Sequence, residues 1–158
     1  MRRNLVWSAI AAALLPAASL WAAPNADIPS TQYLNQIGEQ AFQIQVQAGR
    51  LESYLRSGAH DGPYAAGYTL DIAEGTRRIG ALLDQFVAQP GVTNDTRQQV
   101  ERMKVAVAEL SAFAGSAYQS LDSRSMGLHL GEVLASVANI VDRGNMLRSG
   151  AHTLAGAN

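Results

Sequence analysis

The chain holds three histidines, and one of them stands at a spacing that chemistry uses. His129 and Glu132 lie three residues apart, so on a helix their side chains meet on one face. Di-iron bundles use the order Glu-x-x-His, with further carboxylates projecting inward. Here the order is reversed and no second such pair is present. The apolar neighbours Leu130 and Val133 set His129 at the flank of a helix and Glu132 outside it. This pattern implies a hydrogen-bonded surface pair, and no metal site is expected. Haem held without covalent attachment needs His or Met facing a bundle interior. Met103 and Met126 occupy interior positions, where methionine is ordinary core filling, and His152 falls one step past the interior position Ala151. No haem or other cofactor is therefore expected.

Nucleophilic catalysis has no better support. There is no G-x-S-x-G elbow, and the one local cluster, Ser57 with His60 and Asp61, sits in a turn. No catalytic set is assigned. A short repeat is more distinctive: Leu55-Arg56-Ser57-Gly58-Ala59-His60 recurs as Leu147-Arg148-Ser149-Gly150-Ala151-His152. Arginine, hydroxyl and imidazole near a helix end are the components of an anion site. Yet the first copy runs into Asp61-Gly62-Pro63, a turn, while the second continues an apolar stripe through Leu154. An up-down bundle would also set the copies at opposite ends. The repeat reads as a coincidence between two helix ends.

The elements that must position these residues are helices. Four segments carry apolar residues at alternating steps of three and four, and none alternates at period two. The first seam is Leu34, Ile37, Ala41, Ile44, Ala48, Leu51 and Leu55. The second is Ala65, Tyr68, Ile72, Gly75, Ile79, Leu82 and Phe86. The third is Val100, Met103, Val107, Leu110, Ala114, Ala117 and Leu121. The fourth runs Met126, Leu130, Val133, Val137, Ile140, Gly144, Leu147, Ala151 and Leu154. Each seam must be buried against neighbours. Gln45, one step off the first seam, is expected to tolerate a charge.

Punctuation divides the same four segments. Pro29, Ser30 and Thr31 offer a start for the first, and Gly58 closes it. His60-Asp61-Gly62-Pro63 is a turn, with Pro63 suited to the first turn of the second helix. Gln89-Pro90-Gly91 ends that helix, Thr93 or Asn94 caps the third, and Ser123 and Ser125 mark the last connection. Short links make consecutive helices antiparallel neighbours. The expected fold is all-α, an antiparallel up-down-up-down four-helix bundle, with helices of about 25 residues.

Glycines are frequent inside these helices, at Gly38, Gly49, Gly67, Gly75, Gly80, Gly115, Gly127, Gly131 and Gly144. Each costs up to about 1 kcal/mol relative to alanine. Gly75 and Gly144 fall on seams, where close helix approach is the expected reason and an apolar cavity is the alternative.

The N-terminal segment has its own logic. Arg2 and Arg3 precede an almost unbroken apolar stretch from Leu5 to Leu20, followed by Ala22, Ala23 and Pro24. That is the layout of a secretory signal peptide over residues 1–23, leaving a bundle domain over 24–158 and a periplasmic or secreted location. A retained anchor is the alternative, although Pro16 interrupts the stretch. Arg2-Arg3 also fits a twin-arginine leader, but the short basic region and apolar run favour the ordinary route. The absence of cysteine excludes disulfides, thiolate metal sites and covalent haem attachment. Both tryptophans, Trp7 and Trp21, belong to the leader, and the basic residues are scattered with Lys104 the only lysine. No nucleic acid is expected as a partner, and no membrane once the leader is gone.

The layout Ala48-x-x-Leu51 with Arg56-Ser57-Gly58, Leu70-x-Ile72, Ile79-Gly80-x-x-Leu83, then Arg102 and Leu110 resembles uncharacterised exported four-helix-bundle proteins of bacteria. The likeness covers most of the mature chain and implies fold and compartment, without an activity. This chain departs from them in lacking tryptophan after the leader. The functional expectation is a non-enzymatic exported bundle working by protein interaction or as an envelope scaffold. The alternative is a carrier of an apolar, haem-like or metal ligand. An exposed apolar flank around a filled core favours the first, and a pocket at Gly75, Gly144 and the seam methionines favours the second.

Overall fold

The computed structural model describes residues 30–58, 61–122 and 126–157. The expected leader, Ser123 and Ser125 lie outside the described residues. Four helices follow in order: α1 (Ser30–Arg56), α2 (Gly62–Val87), α3 (Asn94–Asp122) and α4 (Met126–Ala157). They run to 27, 26, 29 and 32 residues, so α1 and α2 have the expected length and α3 and α4 exceed it. At 1.5 Å per residue, α4 extends about 48 Å. The described residues contain no strand.

Local chemistry explains each boundary. Gly58 takes φ +76, a left-handed conformation that glycine adopts without a Cβ penalty, and so closes α1. The Asp61 carboxylate accepts the Tyr64 N–H at 3.1 Å and caps α2, with Pro63 in the first turn. Gly91, at φ +87, turns the chain after α2. Thr93 Oγ1 accepts the Thr96 N–H at 3.2 Å, which selects Thr93 as the cap of α3.

Contacts fix the arrangement. Ile44 of α1 meets Gly75 of α2, while Tyr54 near the end of α1 meets Tyr64 near the start of α2. Gly80 faces Val107, and Lys104 reaches Asp84. Met103 lies on Gly150, while Glu109 pairs with Arg143. Gln45 rests on Gly144, and Phe42 lies beneath Arg148. In every pair rising numbers meet falling ones, so α1, α2, α3 and α4 alternate up and down, each packed on the two beside it.

The first seam is buried at all its positions. The fourth is buried from Val133 to Leu154, Leu130 is half-buried, and the side chain of Met126 lies outside the described residues. The second seam departs from expectation. Tyr68 and Leu82 are only half-buried, and Thr69 and Leu83 take the interior instead. Thr69 belongs there because its hydroxyl donates to the Ala66 carbonyl at 2.7 Å, and Thr76 does the same to Ile72, so neither leaves a polar group unpaired. On the third seam Ala106 is buried and Val107 is half-buried.

Gln45 corrects a second expectation. It is half-buried, and a Cβ built on Gly144 would lie 2.9 Å from its Cγ. Its amide Nε2 is shut from solvent without a partner among the described residues. A charge there would not be silent, because the side chain is the wedge that fills the notch of Gly144.

Candidate functional site

His129 Nδ1 lies 3.1 Å from Glu132 Oε2, and both side chains are exposed. This is the surface pair that the spacing predicts. Among the described residues no three His, Cys, Asp or Glu side chains converge. Ser57 donates its hydroxyl to the Tyr54 carbonyl at 2.7 Å, and Asp61 spends its carboxylate on the helix cap. His60 lies outside the described residues. The Ser57–Asp61 neighbourhood therefore serves the α1–α2 corner.

Three tyrosines complete that corner. Tyr54, Tyr64 and Tyr68 pack with ring centroids 5.0, 5.4 and 6.5 Å apart. Tyr54 Oη accepts the Asp61 N–H at 3.1 Å, and the Tyr68 hydroxyl donates to that of Tyr64 at 3.0 Å. That bond, with some desolvation, raises the Tyr68 pKa above its usual value. Rings this close touch each other and leave no gap for a ligand.

Two long furrows flank α1. The one facing α2 is lined by Gln36, Glu39, Gln40, Arg77, Arg78 and Gln85 over an apolar strip of Ala81 and Leu82, with a depression around Gln43, Gln47, Glu74 and Gly75 beside it. Hydrogen bonds from Arg77, then Arg78, hold the Glu74 carboxyl down to about 2. Arg77 and Arg78 of this furrow are thus paired with Glu74, while Glu39 accepts only from Gln43 among the described residues.

The furrow facing α4 differs in having an aromatic ring, Phe42, in its lining. It measures about 570 Å³, within the range of ligand-binding clefts, and is lined by Leu34, Asn35, Gly38, Glu39 and Phe42 from α1. From α4 come Arg148, Ala151, His152, Ala155 and Gly156. Leu34 and Ala151 form a buried apolar floor. Nothing lies within 4 Å of a Cβ built on Gly38 or Gly156, so these glycines leave the groove open. The Arg148 guanidinium stands 5.2 Å above the Phe42 ring. Several cations of the bundle have carboxylates, as in Arg56–Glu52, Lys104–Asp84 and Arg143–Glu109, whereas Arg50, Arg97 and Arg102 have none among the described residues. Arg148 has no ion pair among the described residues. Beside it, Asn145, Ser149, His152 and Thr153 line a smaller depression.

The second copy of the hexapeptide thus supplies Arg148 and His152 to a groove, although it lies within α4 and not at a helix end. The first copy supplies nothing comparable: Arg56 is tied to Glu52 at 2.9 Å and Gly58 ends the helix. The role of Phe42 was not visible in the sequence, because only the α1–α4 register brings it under Arg148. Gly75 lines the depression between α1 and α2 with Ile44 packed against it, and Gln45 occupies the space beside Gly144. No helix among the described residues is long and apolar enough to cross a membrane. In comparison with known proteins, no family model, no curated protein and no solved structure matches this chain.

Proposed function

We propose that the chain is an exported, non-enzymatic bundle that works through its surface, as a protein-interaction or scaffold module of the bacterial envelope. The observation that carries this reading is a filled interior beneath a surface that keeps large apolar side chains exposed. Phe42, Tyr64, Leu70, Val105, Tyr118 and Met146 are all open to solvent, Val105 to 60%. The aromatic rings and the methionine among them are of the types enriched at protein interfaces. The leader layout at residues 1–23 and the resemblance to exported bundles support the compartment.

Site-specific photo-crosslinking in the native cell tests both halves. A photoreactive residue at Leu70 or Val105 should give a discrete protein adduct, and one at the exposed polar positions Gln98 or Ser111 should give none. The recovered protein should begin near Ala23 or Pro24 and show tyrosine but no tryptophan fluorescence. Intact Met1–Asn158 in the membrane fraction would replace export with an anchor. Absence of adducts at every apolar position, with a stoichiometric small ligand in native mass spectrometry, would transfer the function to the carrier.

A further inference from the structure

The α1–α4 groove has a chemistry that surface interaction does not use up. We infer that it is a binding site for a small carboxylate with an unbranched apolar body, of the fatty-acid class, with Arg148 holding the carboxylate. Three independent features converge on this ligand. The first is the cation: Arg148 is placed by the Phe42 ring and has no carboxylate partner among the described residues. A guanidinium held by a ring face keeps its N–H donors for an incoming anion. The second is the floor, where Leu34, Ala151 and Ala155 present carbon to whatever lies along the groove. The third is the open volume at Gly38 and Gly156, where a side chain would otherwise stand.

Dimensions limit the body. From Leu34 to Phe42 the groove follows two turns of α1, about 12 Å, the length of an extended chain of about ten carbons. His152, one turn along α4 from Arg148, gives the head group a further polar neighbour, while Asn35 lies at the far end of the groove beside Leu34. Glu39 is the one carboxylate on the wall, and Gln43 Nε2 already donates to its Oε1 at 2.8 Å. An apolar floor with one unpaired cation at its edge suits an amphipathic anion better than a sugar, which needs paired polar groups, or a cation, which Arg148 repels. This site shares Phe42 with the exposed apolar surface of the interaction reading, but the anchors at Leu70 and Val105 lie apart from it on α2 and α3.

The test is titration of the purified isotope-labelled protein with decanoate, below the concentration at which it forms micelles, read by the backbone amide resonances. Saturable shifts are expected at Gly38, Gly156 and their neighbours. Decanol, which lacks the charge, should bind at least about tenfold more weakly, as should decanoate to R148Q. G38L, built where nothing would touch the first added carbon, should fold normally and block the titration. Four results would each overturn the assignment: no saturable shift in millimolar decanoate, shifts spread over other faces, equal binding of decanol, or unchanged binding in R148Q and G38L. Crosslinks at Leu70 and Val105 surviving in G38L would show that the two readings stand or fall separately.

Discussion

The same six residues, Leu-Arg-Ser-Gly-Ala-His, meet two fates in this bundle. At the end of α1 the Ser57 N–H bonds to Ser53 and Tyr54 carbonyls, the Gly58 N–H bonds to Leu55, and Gly58 turns left-handed. In α4 the identical glycine, Gly150, stays helical and packs beneath Met103. The difference lies in the residues downstream of each copy. After Gly150, continuing the helix buries Ala151 and Leu154. After Gly58 come Asp61, which caps the next helix, and Pro63 in its first turn. The hexapeptide permits both outcomes, and the burial available downstream chooses between them.

The largest expected effect tests that choice at its leucines. Leu147 is fully buried within α4, whereas Leu55, 2% exposed, lies in the last turn of α1, one residue from its end. Leu147→Asp should cost more than about 4 kcal/mol, because an unpaired charge has nowhere to go. Leu55→Asp should cost less, since the last turn of α1 can fray and rehydrate it. Denaturant unfolding measures both, with Ser111→Asp as an exposed control within about 0.5 kcal/mol of the parent. Equal losses would mean that the two copies differ in shape but not in local stability.

The second effect extends the comparison to a glycine that truly admits a neighbour. At Gly144 a Cβ would meet Gln45 Cγ at 2.9 Å and the Ala41 carbonyl oxygen at 3.5 Å, neither of them the far end of a flexible chain. Gly144→Leu should therefore overpack α1 against α4 and cost about 1–3 kcal/mol, exceeding the gain in helix propensity. A higher melting temperature would show that the notch has room after all, and would promote a ligand between the helices.

The third effect should differ in sign between the two copies. Gly58→Ala puts a Cβ on a residue at φ +76 and should cost about 1 kcal/mol. Gly150→Ala gains up to about 1 kcal/mol of helix propensity. Its Cβ would press 3.1 Å from Met103 Sδ, and an unbranched thioether can shift by the few tenths of an ångström required. Thermal unfolding should show one variant below the parent and the other level with it or above. Two losses would show that Met103 is held rigidly.

How much of this was legible in the sequence depends on the range of the interaction. Periodicity is local, and it placed every residue of the α1 seam in the core, along with Val133 to Leu154 of α4. It slipped on α2 at Tyr68 and Leu82, because a threonine whose hydroxyl returns to its own backbone behaves as an apolar residue and a tyrosine at a rim does not. Gly58, Asp61, Pro63 and Thr93 were read as punctuation and act as such, since a cap is decided within four residues. The groove was not legible. It needs Phe42 to face Arg148 across two helices, and nothing near either residue encodes that register. The wedge of Gln45 into Gly144 was missed for the same reason.

The smallest effect concerns the two arginines of the repeat, which hold different partners. Arg56 pairs with Glu52 at 2.8 Å, with both side chains largely exposed. Such a pair contributes about 0.3–0.5 kcal/mol, and salt should erase it. Arg148 instead lies over the Phe42 ring, a contact of about 0.5–1 kcal/mol whose aromatic partner carries no net charge to screen. Arg56→Gln should lose its effect in 1 M salt, while Arg148→Gln should keep most of its own. Because Phe42 also packs, a double-mutant cycle of Phe42→Leu with Arg148→Gln is needed to isolate the contact. Coupling that persists at high salt would show that the fold, and not a carboxylate, positions this guanidinium. Coupling that vanishes would leave Arg148 as free as any surface arginine, and the two copies would then differ only in their glycines.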